Sequence, residues 1–275
     1  MRSQQTLARS FVVEGRGLHS GAAVRLTARP APEHSGLVYV VGGHRVPARV
    51  AHVTNTQLAT TLGLGEQRVS MVEHLGAALY TAGVDNLEIE VEGGEVPVLD
   101  GTAQPWVEAI RQAGLESQSA AVRVLRIQKK VTVEAGESWI SAEPADRLHL
   151  SMGVAFAHPA IGTQHWAGGP ADFAAELSWA RTLGFFADAE KLRALGLARG
   201  AGLDNTLVFG DDGPMNEGGL RAPDEVVRHK ALDFFGDLSL VGAPVLGHFR
   251  AWRSGHSLHL ALLRRLVEEG AYEAT

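Results

Sequence analysis

The stretch Ser70-Met71-Val72-Glu73-His74-Leu75-Gly76-Ala77-Ala78-Leu79-Tyr80-Thr81-Ala82-Gly83-Val84-Asp85-Asn86-Leu87-Glu88-Ile89-Glu90-Val91 holds a change of hydrophobic period. Its first part is rich in Ala, Leu and Met and stops at a glycine, which predicts a helix over Met71 to Ala82. Ser70 and Glu73 stand at the spacing of a capping box, in which two side chains satisfy backbone N–H groups of the first turn. The second part, Leu87 to Val91, alternates strictly between apolar and acidic residues, as a strand buried on one face does. A helix handing over to a strand is the unit around which the remaining segments arrange themselves.

Upstream, residues 10–50 alternate in short runs such as Val24-Arg25-Leu26-Thr27-Ala28 and Leu37-Val38-Tyr39-Val40, punctuated by Gly and Pro, and read as a meander of strands. Downstream, a turn at Gly93-Gly94 leads to a second helix from Pro105 to Gly114 with Trp106, Val107 and Ile110 on its apolar side. Leu115 to Ala121 is small, polar and aperiodic and reads as a linker, dividing the chain into domains 1–118 and 123–275. The order of elements then recurs, with strands near 123–134, 138–142 and 147–156 and a helix near 187–197. A long helix over 225–241, a strand Val245 to Trp252 and a last helix over 257–269 complete it. Val72-Glu73-His74 and Val227-Arg228-His229 occupy corresponding helices, a hint of duplication.

With 275 residues, 45% apolar and 20% charged, the chain has the composition of a folded protein of about two domains. A net charge of −6 gives no general attraction to nucleic acid or to anionic lipid. No apolar run reaches the length of a membrane span and none stands at the N-terminus, so a cytoplasmic protein without membrane insertion is expected. Cysteine is absent, which excludes disulfides, a thiolate nucleophile and a zinc ribbon, and leaves His, Asp and Glu to hold any metal.

The long helix carries His229, Lys230, Asp233 and Asp237. Val227, Ala231, Phe234, Leu238 and Val241 form its apolar stripe, while Glu225, Arg228, Gly236 and Ser239 read as its solvent arc. His229, Asp233 and Asp237 fall on neither, as an i, i+4, i+8 row whose neighbours include Val226 and Leu240, and such groups need partners if buried. Alone, this row reads more readily as an ordinary surface pair. Glu73-His74 adds an acid and an imidazole from the other half of the chain, and two His with one Asp make a three-ligand set. Catalytic zinc takes three such ligands and keeps a fourth position open. Glu73 is equally well read as the capping partner of Ser70. His256, after Ser254-Gly255, and Thr182, before a glycine turn with two aromatics, are ordinary on local evidence. Gly15-Arg16-Gly17-Leu18-His19-Ser20-Gly21 looks suited to phosphate, but with no helix after it neither a Rossmann nor a P-loop reading follows.

Val72-Glu73-His74-Leu75, Gly83-Val84-Asp85-Asn86, Pro97-Val98-Leu99-Asp100-Gly101-Thr102, Ala180-Arg181-Thr182 and Val227-Arg228-His229-Lys230-x-x-Asp233 together resemble the UDP-3-O-acyl-N-acetylglucosamine deacetylase family of lipid A biosynthesis. Gly17-Leu18-His19-Ser20-Gly21, His158-Pro159-Ala160-Ile161 and Ser254-Gly255-His256 extend the resemblance over nearly the whole chain. It implies an α+β fold of two similar domains, each a mainly antiparallel sheet packed with two helices, the helices facing each other across the interface. It implies hydrolysis of the N-acetyl group of a UDP-linked, acylated amino sugar by a monomer using Zn²⁺, with Fe²⁺ as an alternative ion in the cell. By the same resemblance His74, His229 and Asp233 are metal ligands, Glu73 the general base, His256 the general acid and Asp237 its orienting carboxylate. Thr182 is a donor to the oxyanion. Lys230, His19, Leu18 and Leu58 touch substrate, and the segment Leu183 to Gly202, with Leu183, Phe185, Phe186, Leu192, Leu195 and Leu197, forms an apolar passage for the acyl chain. The chain departs from the family pattern at Ser138, where a diphosphate-binding lysine is common, at Leu183 in place of Phe, and at Asn205 in place of a cysteine. A paralogous zinc amidohydrolase of another substrate, or a non-catalytic sugar-nucleotide module, are the rival readings.

Overall fold

The computed structural model describes residues 2–275. In the first half, the alternating runs pair into a five-stranded sheet in the spatial order Phe11–Arg16, Ala23–Pro30, Leu87–Glu92, Leu37–Val41, His44–Pro47. This is not the simple meander expected. The strand after the first helix inserts between its elders and runs parallel to Leu37–Val41, while the other pairs are antiparallel. One face of the sheet is apolar, with Leu26, Ala28, Tyr39, Ile89 and Val91 buried, and helices α1 (Glu73–Ala82) and α2 (Gln104–Ala113) belong to the same half. A left-handed Gly83 ends α1, its N–H capping the last turn.

Leu115 to Ala121 is a strand, not a linker: it pairs antiparallel with Ser3–Leu7. Its composition is unlike a strand's because most of its side chains face solvent, so what holds it is backbone pairing with the far end of the chain. In the second half, strand Val245–Trp252 lies at the centre of a seven-stranded mixed sheet. It pairs antiparallel with Ser138–Glu143 and parallel with Leu148–Ala155 along most of its length, and its first residues pair parallel with Leu125–Ile127. The long run expected at 123–134 is broken at Gln128–Lys130 into Leu125–Ile127 and Val131–Ala135. Between the sheet strands and the last helices, α3 (Ala189–Ala194) is shorter than the sequence suggests and lies between the parallel strands Leu183–Phe185 and Leu207–Phe209.

Helices α4 (Glu225–Ser239) and α5 (His256–Glu268) pack with the second sheet, and α4 also packs on α1. Glu225, assigned to a solvent arc, is buried around its pair with Arg181, and this last contact, with α1, buries Gly236 and Ser239, assigned to the same arc. The reason is close approach through glycine. A Cβ on Gly236 would stand 2.1 Å from the carbonyl oxygen of Glu73, and one on Gly76 would stand 2.8 Å from Oγ of Ser239. No larger residue fits in this seam, and the two helices that carry the candidate ligands meet backbone to backbone. No helix among the described residues is long and apolar enough to cross a membrane.

Candidate active site

His74 and Glu73 occupy the first turn of α1, and the seam with α4 sets them against His229 and Asp233. All four are almost fully buried. The expected capping box does not form: Ser70 is extended and bridges to Glu95, and α1 begins after Val72 with no side-chain cap. The Glu73 carboxylate is thereby free, and its Oε2 accepts the backbone N–H of Thr60 at 3.1 Å.

Oδ1 of Asp233 lies 3.4 Å from Nε2 of His229 and 3.7 Å from Nε2 of His74, and the two imidazoles meet edge to face at 5.1 Å. One donor atom from each of the three residues falls within 4.8 Å of the others. Nδ1–H of His229 donates to the carbonyl of Ala180 at 3.1 Å, which fixes the tautomer and leaves Nε2 as a lone pair turned to its neighbours. Burial and the mutual repulsion of the rings hold His74 down to about 3, and burial also lowers His229, so both are neutral ligands in waiting. Burial would raise the Asp233 carboxyl, but His229, Lys230 and His256 outweigh it and keep it ionised. Nζ of Lys230 donates to Oδ2 of Asp233 at 2.8 Å, leaving Oδ1 to the imidazoles. Two neutral imidazoles and one carboxylate, converging without a cysteine, form the N and O donor set that suits a catalytic divalent metal.

Beside this triad, His256 is the first residue of α5. Its Nδ1–H donates to Oδ2 of Asp237 at 2.7 Å, and its Nε2 lies 3.8 Å from Oε1 of Glu73. Burial alone would lower this imidazole, yet the charge and hydrogen bond of Asp237, with the charge of Glu73, push it up to about 10. Desolvation raises Glu73 to about 7, opposed by His256. Two partners escaped the sequence reading. His259 donates from Nδ1 to the same Oδ2 of Asp237 at 2.8 Å while Oγ of Ser254 bonds its Nε2 at 3.0 Å, and Thr60 bonds the other oxygen of Asp237. His259 could have been found, standing three residues after His256 on one helix face; Thr60 gives no signal in the sequence.

Lys230 also lines a cavity of about 440 Å³, together with Thr182, Leu183, Phe185 and Leu192. Leu18, His19 and Leu58 border it as well. Leu195 does not: it caps the end of α3 and is 62% exposed, outside the cavity wall. The glycine-rich loop at residues 15–21 cradles an anion of the protein's own. Glu95 accepts the backbone N–H groups of His19 and Ser20 and the Ser20 hydroxyl, and a Cβ on Gly17 would strike it. This nest fixes Leu18 and His19 at the cavity. At residue 138 a serine opens the hairpin strand, and the adjacent Glu137 pairs with Arg253.

An α+β chain with a buried His₂Asp triad, an adjacent carboxylate and a carboxylate-backed histidine falls in the class of metal-dependent hydrolases. The model of the UDP-3-O-acyl N-acetylglycosamine deacetylase family matches residues 4–268. UDP-3-O-acyl-N-acetylglucosamine deacetylases are similar throughout: that of Myxococcus xanthus is 45% identical over 97% of this chain and 87% of its own length. That of Oleidesulfovibrio alaskensis is 44% identical over 97% and 89%, and that of Thermosynechococcus vestitus 43% over 97% and 95%. The chain belongs to this deacetylase family.

Proposed function

We propose that this chain hydrolyses the N-acetyl group of a UDP-3-O-acyl-N-acetylglucosamine, releasing acetate and the free amine, in the route to lipid A. The observation that carries the reading is the convergence of His74, His229 and Asp233 beside Glu73 and His256, with Lys230 bonded to Asp233 and lining an apolar cavity. A divalent metal, Zn²⁺ by the donor set and Fe²⁺ as the alternative, would be held by His74, His229 and Asp233, where it supplies Lewis-acid polarisation of the amide and a more acidic water.

Glu73, one residue from a ligand and without a cap to serve, takes the proton of the attacking water. The developing oxyanion is met by the Thr182 hydroxyl and by cationic His256, groups aligned before the reaction begins. His256 then gives a proton to the leaving amine, while Asp237 holds the ring in one tautomer and favours its charge. Lys230 anchors the polar part of the substrate between triad and cavity, and Leu18, Leu58, Leu183, Phe185 and Leu192 receive the acyl chain. Residues of both halves complete the site within one chain, which supports action as a monomer, and a nucleotide-linked substrate supports a cytoplasmic location.

Metal analysis and a deacetylation assay on the acylated UDP-sugar test this directly. Glu73→Gln is expected to keep its metal and lose at least about 10²-fold in kcat, the usual contribution of a general base. Asp233→Ala is expected to lose metal and activity together. Full turnover in either variant refutes the assignment.

A further inference from the structure

We propose that Thr60 is a positioning residue that ties Glu73 to Asp237, the carboxylate bonded to His256, an assignment that rests on the reaction proposed above. Its backbone N–H donates to Oε2 of Glu73 at 3.1 Å, and its hydroxyl donates to Oδ1 of Asp237 at 2.6 Å. One side chain and its own main chain thus hold carboxylates from α1 and α4, one in each half of the protein. Thr60 and Asp237 are both fully buried. Away from water, a missing donor to a carboxylate is not replaced by solvent.

Asp237 is fully committed. Oδ2 takes Nδ1–H of His256 and of His259, and Oδ1 takes the Thr60 hydroxyl. Three donors on two oxygens fix the plane of the carboxylate, and with it the direction in which His256 turns Nε2 toward Glu73. The main chain of Thr60 is pinned separately, because its carbonyl accepts the N–H of Val72 at 3.4 Å. Orientation through the hydroxyl and folding through the backbone are therefore separable by substitution. The loop also carries Leu58, held at φ +62° on the rim of the cavity, so the tie sits in the segment that borders bound substrate.

Thr60→Val keeps the shape and the backbone N–H and deletes one O–H; Thr60→Ser restores it. In the metal-replete enzyme, Thr60→Val is expected to lower kcat by about 10- to 100-fold with KM changed by less than about twofold, and Thr60→Ser to recover most of the loss. In protein labelled with ¹⁵N-histidine, the Nδ1–H resonances of His256 and His259 should move in Thr60→Val and return in Thr60→Ser, with bound metal equal in all three. Wild-type kcat with unmoved resonances overturns the proposal. So does a loss that serine does not restore, or one matched by loss of metal, since these describe packing alone. If Thr60→Val does not fold, Thr60→Ala against Thr60→Ser makes the same comparison. Glu73→Gln and Asp237→Asn run alongside: if these retain turnover, the reaction assignment has failed, whereas their loss beside an unaffected Thr60→Val fails Thr60 alone.

Discussion

Gly236→Ala is a one-carbon change in the middle of a helix, where alanine would ordinarily stabilise by about 1 kcal/mol through helix propensity. Here the added Cβ would stand 2.1 Å from the Glu73 carbonyl oxygen and 2.7 Å from its Cα. Backbone cannot swing aside as a side chain does, so α1 and α4 have to part by about 1 Å to regain van der Waals contact. Overpacking of this kind costs about 1–3 kcal/mol, which exceeds the propensity gain. The net loss should lower Tm by a few degrees, at about 2–4 °C per kcal/mol for a chain of this size class. The larger effect is on the site, because Glu73 and His74 ride on the displaced turn while His229 and Asp233 stay on α4. A misplacement of about 1 Å can cost about 10²-fold in rate, and metal affinity should fall by about 10- to 100-fold, as when a ligand loses its support. Thermal unfolding, competition with a chelator and turnover read these separately. A Gly236→Ala protein more stable than wild type, with unchanged metal affinity and kcat, would refute the argument that glycine contact sets the ligand geometry.

Three further outcomes are expected. If His256 acts protonated, as proposed, activity should fall as pH rises through its pKa, which burial lowers but Asp237 raises to about 10; Asp237→Asn removes that charge and should move the alkaline limb of the pH–rate profile downward, and an unmoved limb would show that another group titrates. Across a substrate series from long 3-O-acyl to acetyl, kcat/KM should fall steeply, since each buried CH₂ contributes about 0.8 kcal/mol; Leu192→Asp on the cavity wall should flatten the series and Leu195→Asp outside it should not, while equal efficiency for all chain lengths would remove the cavity's role. Arg181 and buried Glu225 form a bidentate pair at 2.8 and 2.9 Å next to Ala180 and Thr182. Burial would raise this carboxyl, but Arg181 and backbone donors lower it. Its stabilisation is therefore complete above the unfolded value of about 4.3 and fades as pH falls through the lower folded one. Glu225→Gln should cost about 3–5 kcal/mol near neutrality, a gap that denaturant titrations should find narrowing in acid, and a constant gap would contradict the pair's charge.

The residue patterns that were legible in the sequence are those whose cause is local. Leu87–Glu92 alternates because one face of a strand is dry and the other wet, and α1 ends at Gly83 because a left-handed residue closes the turn. The family motifs likewise singled out His74, His229, Asp233 and His256. What local pattern misassigned depends on partners far away in the chain. Leu115–Ala121 is polar and small, yet it is a strand because Ser3–Leu7 supplies its hydrogen bonds.

Glu73 at the capping spacing from Ser70 is a local ambiguity that the fold resolves, since Ser70 pairs with Glu95 and Thr60 claims the carboxylate. Gly236 and Ser239 look solvent-facing on a helical wheel, which has one axis and no knowledge of a second helix; contact with α1 at Gly76 and Gly236 buries them, as pairing with Arg181 buries Glu225. By itself, then, the sequence determined the elements with a clear local period, the absence of thiol chemistry and the donor types at the site. Only the tertiary structure decided which of those donors share one point, because the spacing of His74 from His229 is fixed by a backbone contact between helices and not by any interval along the chain.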